Sequence, residues 1–386
     1  MKSRNIGLYL HIPFCEKKCR YCGFLSFDIY NLEIYEEYTK SIISEIKNYN
    51  EAFKKINVPD TVFIGGGTSS LLSESQISRI MECIFEDFDV VKNAEITIEV
   101  NPNSVTREKL RAYKKAGINR LSMGVQSMDD DVLASLGRVH RKKDVLKAYD
   151  NAGEAGFENI NMDLMFGVPG QSRESVKSSV KTLCELEPEH ISFYGLQLEE
   201  DTIFYEEYKS GMIDLPGEEK ERSIYHESIG YMKEKGYLHY EISNFAKAGF
   251  ESKHNLKYWN LENYLGVGLG AHSYMHGTRT KNVDDMKEYL SLIHSGRSPR
   301  DAEFFHVDSK KDKMAIYVFT GLRKHDGISL SEFERKFEVG FFEAYRKVVE
   351  NLKNYMDSGF LEISGDSFRL TEKGIDISND IMSEFV

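Results

Sequence analysis

Three of the five cysteines in this 386-residue chain lie within one segment, "HIPFCEKKCRYCGF", at positions 11–24. Cys15, Cys19 and Cys22 follow the spacing C-x3-C-x2-C. Thiolates bind zinc and iron–sulfur clusters, and such centres normally take four protein ligands. Three thiolates in one tight loop leave a position free, and an open metal position is typical of a reactive site.

Two kinds of metal centre are compatible with this spacing. His11 can complete a Cys3His zinc site with the three cysteines. Alternatively, the cysteines hold an iron–sulfur cluster that has one iron open. Zinc sites usually take their ligands as two separated pairs, so the single loop favours the cluster. Cys83 and Cys184 lie in predicted amphipathic helices, where we expect buried packing residues rather than the missing ligand.

The elements that must position this loop follow a repeating pattern over the first half of the chain. Short β-branched or aromatic runs alternate with amphipathic segments, which predicts a parallel sheet, open or closed into a barrel. The predicted strands are 6–11, 61–64, 94–100, 120–123, 159–165 and 190–194.

The sequence also predicts where several helices begin and end. Ser73 and Gln76 form a predicted capping box, and Ser172 is a predicted N-cap. Gly117 and Gly156 stand where helix C-caps are expected, just before the next strand.

The residues with unusual chemistry fall near the C-terminal ends of the predicted strands. In parallel α/β folds this is the edge at which active sites form. The residues in question are Cys15 after the first strand, Gly65-Gly66-Gly67-Thr68 after the second, Glu99, Gln126 and Asp163.

The cysteine spacing, with an aromatic residue at Tyr21, resembles the signature of the radical S-adenosylmethionine (SAM) family. The resemblance implies a [4Fe–4S] cluster on Cys15, Cys19 and Cys22, with the amino and carboxylate groups of SAM at the fourth iron. It also implies an α/β fold, a partial (β/α)6 radical SAM barrel.

Further positions resemble the coproporphyrinogen III oxidase branch of that family. The turn Gly65-Gly66-Gly67-Thr68 is similar to the glycine-rich turn that receives the methionine amino group, although Ser69 replaces the usual proline. The resemblance implies SAM contacts at Tyr9, Tyr21, Gly66, Gly67, Thr68, Glu99, Gln126, Arg138 and Asp163.

Two functions occur on this scaffold. One is a heme chaperone of the HemW type, which binds heme and passes it to an acceptor protein. The other is an oxygen-independent coproporphyrinogen III oxidase of porphyrin biosynthesis. Phe24 stands where the oxidases carry a fourth cysteine. Gly23, in contrast, is similar to the residue at the corresponding position of the oxidase loop. The first cysteine at position 15 leaves no room for the N-terminal extension expected of the oxidases.

The segment "HNLKYW", residues 254–259, resembles the HNxxYW motif of the HemW group and favours the chaperone. Imidazole is a common axial ligand of heme iron, so His254 is a candidate heme ligand. In a helix Tyr258 shares its face. An interdomain packing role for the motif remains open. His272, within "YLGVGLGAHSY", is a second candidate ligand.

These features predict three regions. Residues 1–235 form the radical SAM core, and residues 236–309 form a connecting region with the HNxxYW motif. Residues 310–386 form a small α+β winged-helix-like domain, which ends in a hairpin around Gly365 and Asp366 and resembles the HemW-type terminal domain.

The composition indicates which classes of partner are excluded and in which cell compartment the protein is expected. A net charge of −12 and a pI near 5.5 argue against a nucleic-acid surface. No apolar run approaches the roughly 18 residues of a membrane span, which leaves only peripheral membrane contact open. An odd number of cysteines in a chain of this size favours the reducing cytoplasm.

Overall fold

The computed structural model of the chain describes residues 5–29, 31–49 and 51–386. Six strands pair in parallel, each with the next in chain order, which confirms the predicted sheet. They are β1 (Asn5–Ile12), β2 (Val58–Gly66), β3 (Glu95–Val100), β4 (Arg120–Gln126), β5 (Ile160–Phe166) and β6 (His190–Gly195). All six predicted strands are present. The largest differences lie at the start of β2 and the end of β4.

The helices between these strands have the predicted ends. Ser73 and Gln76 form the capping box, Ser172 accepts a backbone N–H at its helix start, and Gly117 and Gly156 have φ of +93° and +86°. The helices are α1 (Leu32–Asn48), α2 (Glu51–Ile56), α3 (Glu74–Asp87), α4 (Arg107–Lys115), α5 (Asp130–Ser135), α6 (Lys142–Glu154) and α7 (Arg173–Leu186).

The core lies between the sheet and these helices. Every residue of β4 is buried, as expected for a parallel strand covered on both faces. Ile77, Ile80 and Ile84 of α3 are fully buried against this core. The fold is therefore α/β, a partial (β/α)6 barrel, as predicted. Cys83 and Cys184 are buried in α3 and α7, also as predicted.

Both edges of the parallel sheet are extended by strands that the sequence reading missed, and the whole sheet has twelve strands. One edge pairs antiparallel with β6, and the other begins with a strand parallel to β1. The added strands are β7 (Leu238–Glu241), β8 (Asn244–Ala246), β9 (Tyr264–Val267), β10 (His272–Met275), β11 (Thr278–Asn282) and β12 (Arg300–Val307). The accompanying helices are α8 (Ile203–Lys209), α9 (Glu218–Glu234), α10 (Lys253–Trp259) and α11 (Met286–His294).

The C-terminal part has its own core and a three-stranded antiparallel sheet. Phe333, Phe341 and Phe368 lie at its centre. Its helices are α12 (Lys310–Gly321), α13 (Leu330–Phe337), α14 (Phe341–Ala344), α15 (Arg346–Asn351), α16 (Lys353–Asp357), α17 (Glu372–Ile375) and α18 (Ser378–Ser383). Its strands are β13 (Ile328–Ser329), β14 (Leu361–Ser364) and β15 (Ser367–Leu370), of which the last two form the predicted hairpin.

Within the described ranges, no helix combines the length and the apolar character needed to cross a bilayer. The division into regions 1–235, 236–309 and 310–386 stays a prediction.

Candidate functional site

The cysteine loop leaves the C-terminal end of β1 and is tied down by backbone hydrogen bonds. Cys15 N–H donates to Phe27 O (2.9 Å), and Cys22 N–H donates to Cys19 O (3.2 Å). Arg20 N–H donates to Leu136 O (3.1 Å) after α5. Cys15 is buried, whereas Cys19 and Cys22 are partly exposed. The loop therefore holds three thiols at the edge where the sequence placed the site.

The surroundings of the thiols fit a site for a positively charged metal centre. Burial raises the pKa of Cys15 and of Cys22, and the neighbouring thiols raise both further. A coordinated metal reverses this effect and deprotonates a thiol outright. Thr68 Oγ1 lies 3.9 Å from Cys15 Sγ, and Arg138 Nη1 lies 3.5 Å from Cys19 Sγ. These donors favour thiolates, so the loop fits the cluster that the sequence predicts.

His11 is engaged elsewhere. Its Nε2 must donate to the carbonyl oxygen of Leu25 (2.7 Å), so its Nδ1 accepts from the Tyr9 hydroxyl (2.9 Å). Burial lowers the His11 pKa, consistent with this neutral tautomer. Neither ring nitrogen is left for the zinc site considered above. Across the described part of the chain, no three His, Cys, Asp or Glu side chains are grouped as ligands of a single metal ion.

The glycine turn after β2 lies directly against the segment that leads into the cysteine loop. Gly67 N–H donates to Ile12 O (2.8 Å), and a Cβ on Gly67 would lie 2.6 Å from Phe14 O. Gly66 has φ +116°, and its N–H donates to Glu99 Oε2 (3.0 Å). A side chain at either position would collide with the segment 11–14 of the same chain. The close packing of the turn against this segment therefore requires glycine.

Two partly buried carboxylates, Glu99 and Asp163, lie near each other close to the turn. Burial, followed by the nearby charge of Asp163, raises the pKa of Glu99 to about 8. Burial also raises the pKa of Asp163, although Asn161 Nδ2 donates to its Oδ1 (2.7 Å). A ligand with positive charge and hydroxyl donors would satisfy this pair, and SAM has both. The carboxylates therefore fit the ligand that the sequence predicts.

The remaining predicted SAM positions surround the same strand ends. Gln126 adopts φ +66°, and its Oε1 accepts from the Tyr194 hydroxyl (2.8 Å). Arg138 Nη2 donates to Gly124 O (2.7 Å). Tyr21 packs on the apolar cluster beneath the loop. The structure thus brings the predicted SAM positions and the three cysteines to one end of the barrel.

Two residues of this region were missed by the sequence reading. Asn101 donates to Thr68 Oγ1 (2.9 Å) and accepts from Arg138 Nη2 (2.6 Å), so it links the groups beside Cys15 and Cys19. Its signal was a polar residue immediately after β3, in "IEVNP". Arg120 is 2% exposed at the start of β4 and lowers the pKa of both carboxylates. A charge at the start of a buried strand was its signal.

His254 lies at the other end of the strands. It is 1% exposed on α10, near the N-terminal ends of β1 to β3, and stacks on Phe63 at 5.2 Å. Its Nδ1 is 2.8 Å from Thr61 Oγ1, and its Nε2 is 2.9 Å from the Tyr258 hydroxyl. His254 and Tyr258 share a helix face as predicted. Both ring nitrogens have protein partners, so His254 can bind iron only if one partner releases it.

Family comparisons agree with this arrangement. The profile of the radical SAM superfamily matches residues 9–183, and that of the HemN C-terminal domain matches residues 308–377. A Bacillus subtilis (strain 168) protein named heme chaperone HemW is 40% identical over 382 residues, covering 98% of each chain. The Escherichia coli (strain K12) heme chaperone HemW is 35% identical over 395 residues, covering 100% of this chain and 99% of the relative.

The chain belongs to the HemW family.

Among solved structures, the radical SAM enzyme coproporphyrinogen III oxidase (HemN) from Escherichia coli superposes with a TM-score of 0.86 at 25% identity. The match covers 99% of this chain and 90% of that chain. This chain thus shares the fold of that oxidase, and the resemblance inferred from the cysteine loop is confirmed. A radical SAM domain implies a [4Fe–4S] cluster and SAM.

Proposed function

We propose that this protein is a heme chaperone that binds heme and passes it to an acceptor protein. The observation that carries the proposal is full-length similarity to proteins named heme chaperone HemW, at 40% identity over 98% of the chain in the Bacillus subtilis relative. Its partners are heme and a heme-accepting protein. The five unpaired cysteines support a cytoplasmic location.

The cysteine loop is proposed to hold the cluster through Cys15, Cys19 and Cys22. When bound, such a cluster supplies an electron to SAM. Thr68 and Arg138 stabilise the thiolates, because each places a donor near a sulfur. Asn101 fixes both donors through one side chain. This network keeps the ligand sulfurs in place before any cofactor arrives.

The strand ends are proposed to bind SAM. Glu99 and Asp163 accept from its hydroxyl or ammonium groups, and Arg138 donates to its carboxylate. Gly66 and Gly67 supply a surface without side chains beside the cluster loop. Tyr9, Tyr21, Thr68 and Gln126 complete the proposed set of contacts.

The runner-up function is oxygen-independent coproporphyrinogen III oxidase, which the HemN superposition favours. Phe24 argues against it, because the resemblance puts a fourth cysteine there in the oxidases. Phe24 is 69% exposed and offers no ligand atom to a metal.

Anaerobic reconstitution followed by two assays tests the proposal. We expect heme to bind with a defined absorption spectrum, and we expect coproporphyrinogen III with SAM and a reductant to give no protoporphyrinogen. Turnover to protoporphyrinogen, or a protein that does not bind heme, would overturn the chaperone assignment.

A further inference from the structure

A cavity of about 660 Å³ opens beside the cysteine loop, and Tyr9, one of the predicted SAM contacts, also lines it. Its walls come from the loop, including Lys18 and Cys22, and from the sheet edge at β9 and β10. Ligand pockets usually measure about 300–1,000 Å³, so this cavity has room for a cofactor-sized molecule. Tyr258 and Tyr264 contribute aromatic surface that suits a flat, apolar ring.

His272 on β10 lines this cavity and is exposed. No hydrogen-bond partner of its ring nitrogens lies among the described residues. Its ring meets Phe304 edge-on at 5.1 Å. Partial desolvation of the ring and the charge of Lys281 lower its pKa. A neutral imidazole has a lone pair that can bind iron. His254, in contrast, has partners at both nitrogens.

The charges around the cavity are asymmetric. Lys18 has no carboxylate within ion-pair distance in the described part of the chain, whereas Lys281 pairs with Asp284. Lys18 is therefore the free cation at the cavity wall. Glu200, Asp201 and Asp284 also line the cavity and would repel an anionic group, so such a group would be bound through contact with Lys18.

We propose that heme binds in this cavity with His272 as an iron ligand and with its carboxylates near Lys18. The inference rests on the proposed chaperone function and gives it a location. Heme combines a flat apolar ring, an iron that takes an axial imidazole, and carboxylates at one edge. Each of these features has a counterpart on the cavity wall. The exposed position of His272 also makes the ligand exchangeable, as transfer to an acceptor requires.

Heme titration of the reconstituted full-length protein, followed by absorption and electron paramagnetic resonance spectroscopy, tests the location. His272→Ala should change the heme spectrum and weaken heme affinity by roughly tenfold or more. Added imidazole should restore the wild-type spectrum in this variant. His294→Ala, which removes an exposed histidine outside the cavity, is the matched control and should leave both readouts unchanged.

A charge-reversal pair tests the carboxylate end. Lys18→Glu should weaken heme binding severalfold, and the difference from wild type should shrink at high salt. Lys17→Glu changes the neighbouring lysine, which does not line the cavity, and should bind as wild type. Cluster iron and sulfide, measured before heme is added, should be the same in both variants.

The outcomes separate the two proposals. A wild-type protein that binds no heme would overturn the chaperone function and this site together. Wild-type heme binding with an unchanged spectrum in His272→Ala would overturn the site alone. A spectral change in His254→Gln with none in His272→Ala would overturn the site in the same way and move the ligand to His254.

Discussion

The cysteine loop and His254 of the HNLKYW helix lie at opposite ends of the same strands, and their polar atoms have different partners. At the C-terminal ends, Cys15 Sγ lies 3.9 Å from Thr68 Oγ1, Cys19 Sγ lies 3.5 Å from Arg138 Nη1, and the carboxylates of Glu99 and Asp163 are close enough to raise the Glu99 pKa. At the N-terminal ends, His254 uses both ring nitrogens within the protein. The sulfur atoms of Cys15 and Cys19 therefore have weaker protein partners than the ring nitrogens of His254.

Several other residues at the helix end are also paired within the protein, although Trp259 Nε1 is buried without a hydrogen-bond partner. Lys257 Nζ lies 2.7 Å from Asp60 and 3.1 Å from Glu262. Glu95 accepts the N–H groups of Lys253 and His254 at the start of α10. The contacts with Asp60 and Glu95 join α10 to the N-terminal ends of β2 and β3. The difference shows that a sequence motif can bind a metal only where the fold leaves its sulfur or nitrogen atoms without protein partners.

The largest expected effect sharpens this comparison at the cysteine end. Cys15→Ala, Cys19→Ala or Cys22→Ala should each remove most of the bound iron, because thiolates are the ligands that hold the cluster. Cys83→Ala and Cys184→Ala should retain it. Iron and sulfide analysis after anaerobic reconstitution gives the answer, and full iron occupancy in any loop variant would contradict the assignment.

The second prediction concerns the helix end. His254→Ala should lower the free energy of unfolding by about 2–4 kcal/mol. The substitution leaves the hydroxyls of Thr61 and Tyr258 without their hydrogen-bond partner and creates a cavity in the core. Iron per folded chain should not change. Urea unfolding measures the stability, with the exposed His294→Ala as the control expected within about 0.5 kcal/mol of wild type. A stable His254→Ala protein with altered heme binding would break the comparison.

The third prediction returns to the strand ends. Glu99→Ala or Asp163→Ala should weaken SAM binding by at least about tenfold, because a charged hydrogen-bond partner contributes roughly 1.5–3 kcal/mol. The cluster should still form, since neither residue contacts a thiol. Calorimetric titration with SAM measures the affinity. Unchanged affinity in both variants would show that these positions do not bind SAM.

The last prediction is a pH dependence. The folded pKa of Glu99, about 8, lies above its ordinary value of 4.5, so the folded state holds this proton more tightly. Its contribution to stability is complete below pH 4.5 and is lost as pH rises toward 8. Glu99→Gln should remove this contribution to the decrease in the free energy of unfolding with rising pH. Unfolding of the SAM-free protein at several pH values tests it, and parallel curves for both proteins would contradict it.

The sequence predicted the six parallel strands and the helix caps because both depend on neighbours in the chain. The edge strands were missed because several have only three to five residues, and their pairing depends on distant partners. Strand-end placement similarly located Glu99 and Asp163. It could not show that His254 meets Thr61, which lies 193 positions away, or that Asn101 connects Thr68 to Arg138.

The central claim is that the three-thiol loop holds a [4Fe–4S] cluster whose open iron takes SAM. Iron and sulfide analysis of the reconstituted wild-type protein, combined with electron paramagnetic resonance of its reduced form with and without SAM, tests this claim most directly. We predict about four irons and four sulfides per chain and a signal that changes when SAM is added. Stoichiometric zinc without sulfide, or a cluster signal that ignores SAM, would contradict it.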